Sequence, residues 1–180
     1  NKYKNNNYIY KNKKIVLTCT CNLNKTKNHL QLLNFLSKSN QKIELNLIGS
    51  KLETQEKYFN VLKKKSLLLN KKKNIKINFL GKRKRNFIRA FYKKTHIYIL
   101  PSLSEGLSVS LTEAMSSGCI CMVSKNSNHS KVISKNNGFV FDLHQKSFFV
   151  EFNKICKLKK KNYNLIRLNA YKTVLNLIRD

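Results

Sequence analysis

Acidic side chains are scarce in this sequence: eight Asp and Glu residues stand against 37 Lys and Arg residues, giving a formal net charge of +29. The 180 residues include five Gly, one Pro and no Trp. No apolar run approaches the roughly 20 residues that a membrane-spanning helix needs. With 41% hydrophobic residues the chain can nevertheless bury a core, which excludes a disordered polymer.

Three interpretations of the positive charge stay open. Lys and Asn are abundant while Arg and Ala are few, which is the pattern that AT-rich codons produce, and we favour this coding bias. Attraction to an anionic membrane surface ranks second. Nucleic-acid binding ranks third, because the charges are spread along the chain. The expected partners therefore include peripheral contact with an anionic membrane, whereas nucleic acid is not expected.

The five cysteines include two C-x-C pairs, Cys19 with Cys21 and Cys119 with Cys121. A metal site or a disulfide is one interpretation of each pair, but residues two apart on a strand point to the same face, as they do in a packed core. Both pairs lie in apolar runs, where free Cys behaves as a small hydrophobic residue, and we favour core packing. An odd number of cysteines without a secretory signal predicts a reducing, cytoplasmic location.

Short apolar runs alternate with amphipathic segments along the chain. Strands are predicted at 14–20, 42–49, 74–81, 96–102, 119–124 and 138–142. Helices are predicted at 27–38, 53–69, 87–94, 107–117, 145–159 and 163–179. Apolar strands between helices indicate an α/β fold, a Rossmann-like parallel sheet of about six strands with helices on both faces. Ligands of such sheets bind at the carboxyl ends of the strands.

The segment that follows the fourth predicted strand, PSLSEGLSVSLTEAMSSG, carries most of the chemical information. Its helix is predicted to begin at Leu107. The first free amides of that helix, on Leu107, Ser108 and Val109, favour an anion such as a diphosphate, because they add to the helix dipole. Gly106 lets the backbone approach a ligand closely. On the second helical turn, the Glu113 carboxylate is suited to accept hydrogen bonds from vicinal ribose hydroxyls.

Glu105 and Glu113 are separated by seven residues within the frame PSLSEGLSVSLTEAMSSGCICMVS. This frame resembles the E-x7-E signature of the family-four glycosyltransferases, which are retaining enzymes with a GT-B fold of two Rossmann-like domains. The resemblance places Glu105 beside the transferred sugar and Glu113 at the nucleotide ribose. It extends over about residues 14–142.

Two segments depart from the family pattern. The family has Gly-Arg after the first strand and a Lys five residues beyond the Arg, and both basic groups hold the donor diphosphate. This sequence has Cys21-Asn22, with Lys27 at the Lys position. The resemblance therefore makes Lys27 the diphosphate-binding group, and Asn22 a hydrogen-bond donor without charge. Residues 127–131 replace the family's Gly-Gly-x-Pro-Glu, and we expect His129 to lie in that loop facing the site.

The resemblance implies the donor-binding, C-terminal half of a glycosyltransferase that moves a sugar from a nucleotide-diphosphate sugar to an unknown acceptor. It implies no cofactor and no metal, since GT-B enzymes use protein groups on the diphosphate. The expected parts are a linker at 1–13, which has no initiator Met, a nucleotide-sugar-binding domain at 14–144 and C-terminal helices at 145–180. An N-terminal acceptor domain is the expected missing partner, and the fragment alone is expected to be inactive.

Two alternatives stay open at this point. The missing Arg favours an inactive GT-B-like binding module, and the net charge favours a basic nucleic-acid-binding domain. For the last helix, whose counterpart in GT-B proteins often returns to the N-terminal domain, we expect one face to be partly exposed, the face that carries Leu165, Leu168, Tyr171 and Leu175.

Overall fold

The computed structural model describes residues 14–106 and 108–179, which fold around one six-stranded sheet. The strands are β1 (Ile15–Thr20), β2 (Ile43–Ile48), β3 (Ile75–Gly81), β4 (Ile97–Leu100), β5 (Ile120–Ser124) and β6 (Phe139–Phe141). The helices are α1 (His29–Leu36), α2 (Glu56–Asn70), α3 (Arg85–Tyr92), α4 (Val109–Ser116), α5 (Gln145–Cys156) and α6 (Lys160–Arg179). The expected linker at 1–13 lies outside the described residues.

All strand pairs in this sheet are parallel, and the strand order is β3-β2-β1-β4-β5-β6. Strand β1 pairs with β2 from Ile15 opposite Ile43 to Thr20 opposite Ile48. On its other side β1 pairs with β4, so the direction in which the chain adds strands reverses between β1 and β4. The predicted Rossmann-like sheet is confirmed, and the predicted strand ends lie within two residues of the observed ones.

The centre of the sheet is the core of the protein. Every residue of β4 and β5 is buried, as expected for strands covered on both faces. Helix α1 packs against α2 and α5, whereas α4 packs against α3 and α6. Because crossovers between parallel strands are right-handed, the reversal at β1 and β4 sends these two groups of helices to opposite faces.

Helix α4 begins two residues later than predicted. Ser108 is its N-cap, with an extended backbone (φ −92°, ψ 136°) and a hydroxyl that accepts a hydrogen bond from the Leu111 amide. A Ser side chain that caps in this way competes with continuation of the helix toward the N-terminus, so α4 starts at Val109. Leu107, which the sequence pattern placed in the first turn, lies outside the described residues.

Helix α6 is attached to the sheet by a buried arginine. Arg167 is 8% exposed, and its Nε donates to the carbonyl of Gly118, between α4 and β5. On the other side of the helix, Leu165 and Leu168 are 53% and 45% exposed, and Tyr171 and Leu175 are half-buried. The expected partial exposure of this face is confirmed. Among the described helices, none is long and apolar enough to cross a membrane.

The start of β1 is held by a titratable side chain, which generates a prediction about pH. The Nδ1 atom of His96 accepts a hydrogen bond of 2.9 Å from the Val16 amide. Burial, and after it the charge of Lys14, lowers the pKa of His96 to about 4. An unfolded histidine titrates near about 6.5. Between these two pKa values the unfolded chain binds a proton that the folded chain does not bind. The folded state is therefore stabilised most above about pH 7, and this stabilisation is lost as the pH falls.

We expect protonation of His96 in the unfolded chain to reduce the free energy of unfolding by about 2 kcal/mol when the pH is lowered from roughly 7.5 to 5. His96→Asn keeps an acceptor for the Val16 amide but does not titrate, so the variant should lose this part of the pH dependence. Urea unfolding of both proteins at the two pH values measures the difference. Equal pH dependence in parent and variant would contradict the assignment.

Candidate functional site

The loops that follow β1, β4 and β5 are joined at the carboxyl edge of the sheet. The Leu103 amide donates to the Thr26 carbonyl at 2.8 Å, which connects the β4–α4 loop to the β1–α1 loop. The Asn128 amide donates to the Glu105 carbonyl at 3.0 Å, which connects the β4–α4 loop to the segment after β5. In doubly wound sheets, ligands bind where the strand order reverses. These bonds therefore fix the backbone around the expected ligand site.

Lys27 and Glu105 meet across this reversal as an ion pair. Lys27 ends a 3-10 turn at Lys25–Lys27, where its amide donates to the Asn24 side chain at 3.1 Å. Asn28 then adopts a left-handed backbone (φ 55°) and turns the chain into α1. The two charged side chains are only 16% and 18% exposed. The structure thus brings together the two residues predicted to act on the transferred sugar and the diphosphate.

The second predicted carboxylate has a partner that the sequence reasoning missed. Glu113 lies on α4 with 13% of its side chain exposed, and it forms an ion pair with Arg85, whose side chain is 63% exposed. Arg85 is the first residue of α3, which packs against α4. The basic run at 82–85, directly after a predicted strand, was the available sequence signal. Glu113 is thus a largely buried carboxylate with an exposed guanidinium beside it, and its oxygens can also accept hydrogen bonds from a ligand.

A cavity of about 370 Å³ lies at the ends of β1, β2 and β3, and we call it the Asn22 cavity. Its lining includes Asn22, Gly49, Lys82 and Arg83. Gly49 is required by close packing, since a Cβ at this position would lie 2.0 Å from the Cys21 carbonyl oxygen. The cavity therefore combines the uncharged Asn22 with two cations from the β3–α3 connection, neither of which was a predicted site residue.

The start of α4 differs from an open row of amides. The Ser108 amide donates a hydrogen bond of 3.0 Å to Nε2 of His129. The segment that carries His129 lies beside the site, as expected, since the Asn128 amide bonds the Glu105 carbonyl, but the His129 side chain itself is fully buried. Burial lowers the pKa of His129, which keeps the imidazole neutral and able to accept. Val109 is 66% exposed, and Gly106 has open space around its Cα, so a ligand can approach both.

Two thiols and an imidazole form a second cluster of side chains beside Asn22. Cys19 Sγ and Cys21 Sγ are 3.5 Å apart, and His29 Nε2 lies 3.7 Å and 3.4 Å from them. A hydrogen bond from Cys19 lowers the pKa of Cys21 against the opposing effect of burial, with further contributions from His29 and Lys27. Core packing, the favoured interpretation, fits fully buried Cys119 and Cys121, whereas Cys21 is half-buried at the Asn22 cavity.

Comparison with known proteins gives consistent results. The family model described as glycosyl transferases group 1 matches residues 1–173. An Escherichia coli UDP-Gal:alpha-D-GlcNAc-diphosphoundecaprenol alpha-1,3-galactosyltransferase is 30% identical over 97 residues, which are 50% of this chain and 25% of that protein.

Two solved structures share the fold at low sequence identity. The Anabaena protein HepE, in complex with UDP and glucose, superposes with a TM-score of 0.79 and 18% identity over 91% of this chain and 44% of its own. The C-terminal domain of a group 1 glycosyltransferase from Francisella tularensis has a TM-score of 0.75 and 20% identity, covering 90% of this chain and 85% of that domain. The chain thus spans a quarter of the curated relative and under half of the Anabaena protein.

The contact between His129 and α4 generates a stability prediction. His129→Ala leaves a cavity and a partly buried Ser108 amide without its acceptor, so we expect a loss of about 2–4 kcal/mol in the free energy of unfolding. His144→Ala is the matched control, since His144 is exposed and its side chain makes no capping bond to α5. Its effect should stay within about 0.5 kcal/mol. Equal urea midpoints for both variants would show that His129 does not support α4.

Proposed function

The chain belongs to the glycosyl transferases group 1 family, and from this premise we propose that it binds the nucleotide-diphosphate sugar of a retaining glycosyltransferase. The transferred sugar would pass to an acceptor held by a second, N-terminal domain. This chain covers 44% of the Anabaena protein, which leaves room in such an enzyme for that domain. The 180 residues alone are then expected to bind donor but not to complete transfer.

The Lys27–Glu105 ion pair at the reversal of strand order is the observation that carries the proposal. A diphosphate carries more negative charge and more acceptor oxygens than one carboxylate, so it can replace Glu105 as the partner of Lys27. Glu105 is then released to accept a hydrogen bond from a sugar hydroxyl. Lys27 stabilises the negative charge that grows on the diphosphate as the glycosidic bond breaks, which lowers the barrier to transfer.

Glu113 is assigned to the ribose in this proposal. Its carboxylate is largely buried on α4, with one exposed partner in Arg85. Two ribose hydroxyls can donate to the carboxylate while Arg85 holds its outer side. The exposed Val109 and the open space at Gly106 would border the diphosphate. The Ser108 amide is engaged by His129, so a direct bond from it to phosphate requires that the His129 contact opens.

The missing family Arg has local candidates for compensation. Asn22 shares its cavity with Lys82 and Arg83, both on the connection between β3 and α3. Either cation can add positive charge beside Asn22, which itself contributes an amide donor. We include both in the donor site. No cofactor and no resident metal enters this mechanism, because each step is assigned to a side chain or a backbone group.

The relatives suggest the first ligands to test. The Anabaena structure contains UDP and glucose, and the Escherichia coli protein is named for a UDP-galactose donor. We therefore propose a uridine diphosphate sugar as donor. All five cysteines are free thiols, which supports a reducing, cytoplasmic location. Peripheral contact with an anionic membrane stays part of the proposal, on the strength of the net charge of +29.

A binding module without turnover is the second candidate, favoured by Asn22 in place of the Arg. The two functions differ in one measurement, sugar transfer by the full-length protein. Donor binding without transfer in the presence of the N-terminal domain and a range of acceptors would favour the module.

The first prediction on the site concerns Lys27. Lys27→Ala should weaken UDP binding by about ten- to a hundredfold, because a hydrogen bond to a charged group contributes about 1.5–3 kcal/mol. Uridine, which has no phosphate, should bind the variant like the parent. Lys25→Ala is the matched control: it removes the same charge from the same turn, but Lys25 is exposed. If calorimetry shows an equal loss of UDP affinity in both variants, Lys27 acts only through its general positive charge and not through a specific contact with the diphosphate.

The second prediction separates the two carboxylates. Glu113→Gln should weaken both uridine and UDP by about ten- to a hundredfold, because ribose is common to both. Glu105→Gln should bind UDP at least as tightly as the parent, since it frees Lys27, yet it should lower sugar transfer in the full-length enzyme. Calorimetry and a transfer assay measure the two effects. Loss of UDP affinity in Glu105→Gln would contradict the proposed exchange of Lys27.

A further inference from the structure

The cluster of Cys19, Cys21 and His29, which we call the thiol–imidazole cluster, is not used by the proposed transfer mechanism. The two cysteines project to the same side at the end of β1, and His29 begins α1. Their Sγ and Nε2 atoms form a triangle with sides of 3.4, 3.5 and 3.7 Å. Within the described residues, this is the one group of three Cys, His, Asp or Glu side chains close enough to share a metal ion.

The triangle has the size of one face of a metal coordination tetrahedron. Zinc–sulfur distances of about 2.3 Å and zinc–nitrogen distances of about 2.0–2.1 Å put two sulfurs about 3.8 Å apart and a sulfur and a nitrogen about 3.6 Å apart. Each side of the observed triangle lies within about 0.3 Å of these values. Little rearrangement is therefore needed for all three atoms to bind one ion.

We infer that Cys19, Cys21 and His29 form a binding site for a thiophilic d¹⁰ metal ion such as Zn²⁺ or Cd²⁺, at the edge of the Asn22 cavity. Two thiolates and an imidazole bind such ions in preference to hard cations, which favour oxygen ligands. Cys21 lines the cavity, which gives the ion access from solvent and room for a water as fourth ligand. Core packing, the favoured interpretation of this pair, is compatible with the site, since Cys19 lies in the hydrophobic core and Cys21 packs against it.

The second C-x-C pair shows that spacing alone does not create the site. Cys119 and Cys121 are both completely buried on β5. The Cys119 thiol donates to the Tyr92 carbonyl at 3.4 Å, and the Cys121 thiol donates to the Cys119 carbonyl at 3.8 Å. No His in the part of the chain that the structure describes lies in a metal-binding group with them. This pair is therefore a matched control inside the same protein.

The surroundings of His29 affect the metal affinity that we expect for the cluster. Nδ1 of His29 is buried and has no hydrogen-bond partner among residues 14–106 and 108–179. Metal-binding imidazoles usually donate this second N–H to a carboxylate or a carbonyl, and loss of that partner costs about ten- to a hundredfold in affinity. The site is therefore suited to reversible occupation and not to a permanent structural ion.

A bound ion would affect the donor site, a consequence that rests on the proposed function. Cys21 precedes Asn22 and shares its cavity, and Lys27 follows on the same loop. An ion with its own water at the cluster would occupy space at the edge of the cavity that the proposed function assigns to the donor. We therefore expect metal binding to weaken the binding of UDP.

Titration of the reduced 180-residue chain with Cd²⁺ tests the site directly. Binding of one ion should produce the ultraviolet charge-transfer band of a cadmium thiolate, and Zn²⁺ should remove the band by competition. Cys21→Ser and His29→Gln should each lower the affinity at least about tenfold. Cys121→Ser should bind like the parent. The absence of a band in the parent, or equal affinities for Cys21→Ser and parent, would overturn the inference.

A second measurement needs no variant and so does not depend on how the variants fold. Zn²⁺ should slow the alkylation of Cys21 by iodoacetamide, followed residue by residue with mass spectrometry. Cys156, which is half-buried and distant from the cluster in sequence, is the internal control and should react at the same rate with and without the ion. Equal protection of Cys21 and Cys156, or no protection of Cys21, would count against the site.

The coupling to the donor is tested by UDP binding with and without saturating Zn²⁺. His29→Gln in the same Zn²⁺ solution corrects for chelation of the metal by UDP itself. The parent should lose affinity for UDP relative to this control, and equal affinities would refute the coupling. If the metal binds but UDP fails to bind in its absence, the proposed donor function fails while the metal site stands.

Discussion

The reversal of strand order between β1 and β4 is the constraint on which the site depends. Parallel strands send their following loops out at one edge, and at a reversal those loops part and leave a crevice. One backbone hydrogen bond, from the Leu103 amide to the Thr26 carbonyl, joins the loops on the two sides of the reversal, and a second, from the Asn128 amide to the Glu105 carbonyl, ties the β4–α4 loop to the segment after β5. The opposed charges of Lys27 and Glu105 meet because the backbone on either side is held in this way.

Local patterns were sufficient to predict the sheet and to single out several residues of the candidate site. Continuous apolar runs gave all six strands, since burial on both faces leaves a direct trace in the residues. The motif around Glu105 placed both carboxylates, although its helix starts later because the Ser108 hydroxyl caps it. The partners of these groups were missed where they are distant in the chain. Arg85 beside Glu113 and His29 beside two thiols depend on how helices pack, which no local spacing records.

The excess of positive charge has a different meaning at the site than on the rest of the surface. With eight acidic residues available, two lie at the carboxyl edge of the sheet, and each of those two is neutralised by one cation. The edge of the Asn22 cavity carries Lys82 and Arg83, and the described residues that line it include no carboxylate. The field of such an edge favours the approach of anions, and raised ionic strength weakens it. In the proposed donor site, Lys82 and Arg83 together would supply the positive charge that the family has in an arginine at the position of Asn22.

Arg167 has a mechanical consequence for the whole domain. Its guanidinium fills the space beside Gly118, where an added Cβ would approach Arg167 Nη2 to 2.7 Å, and its Nε bonds the carbonyl at the end of α4. This contact connects helix α6 to the C-terminal end of α4. A force applied to the exposed leucines of α6 would be transmitted through this joint to α4, the element that carries Glu113. A movement of α6 would therefore reach Glu113 without any change in the sheet.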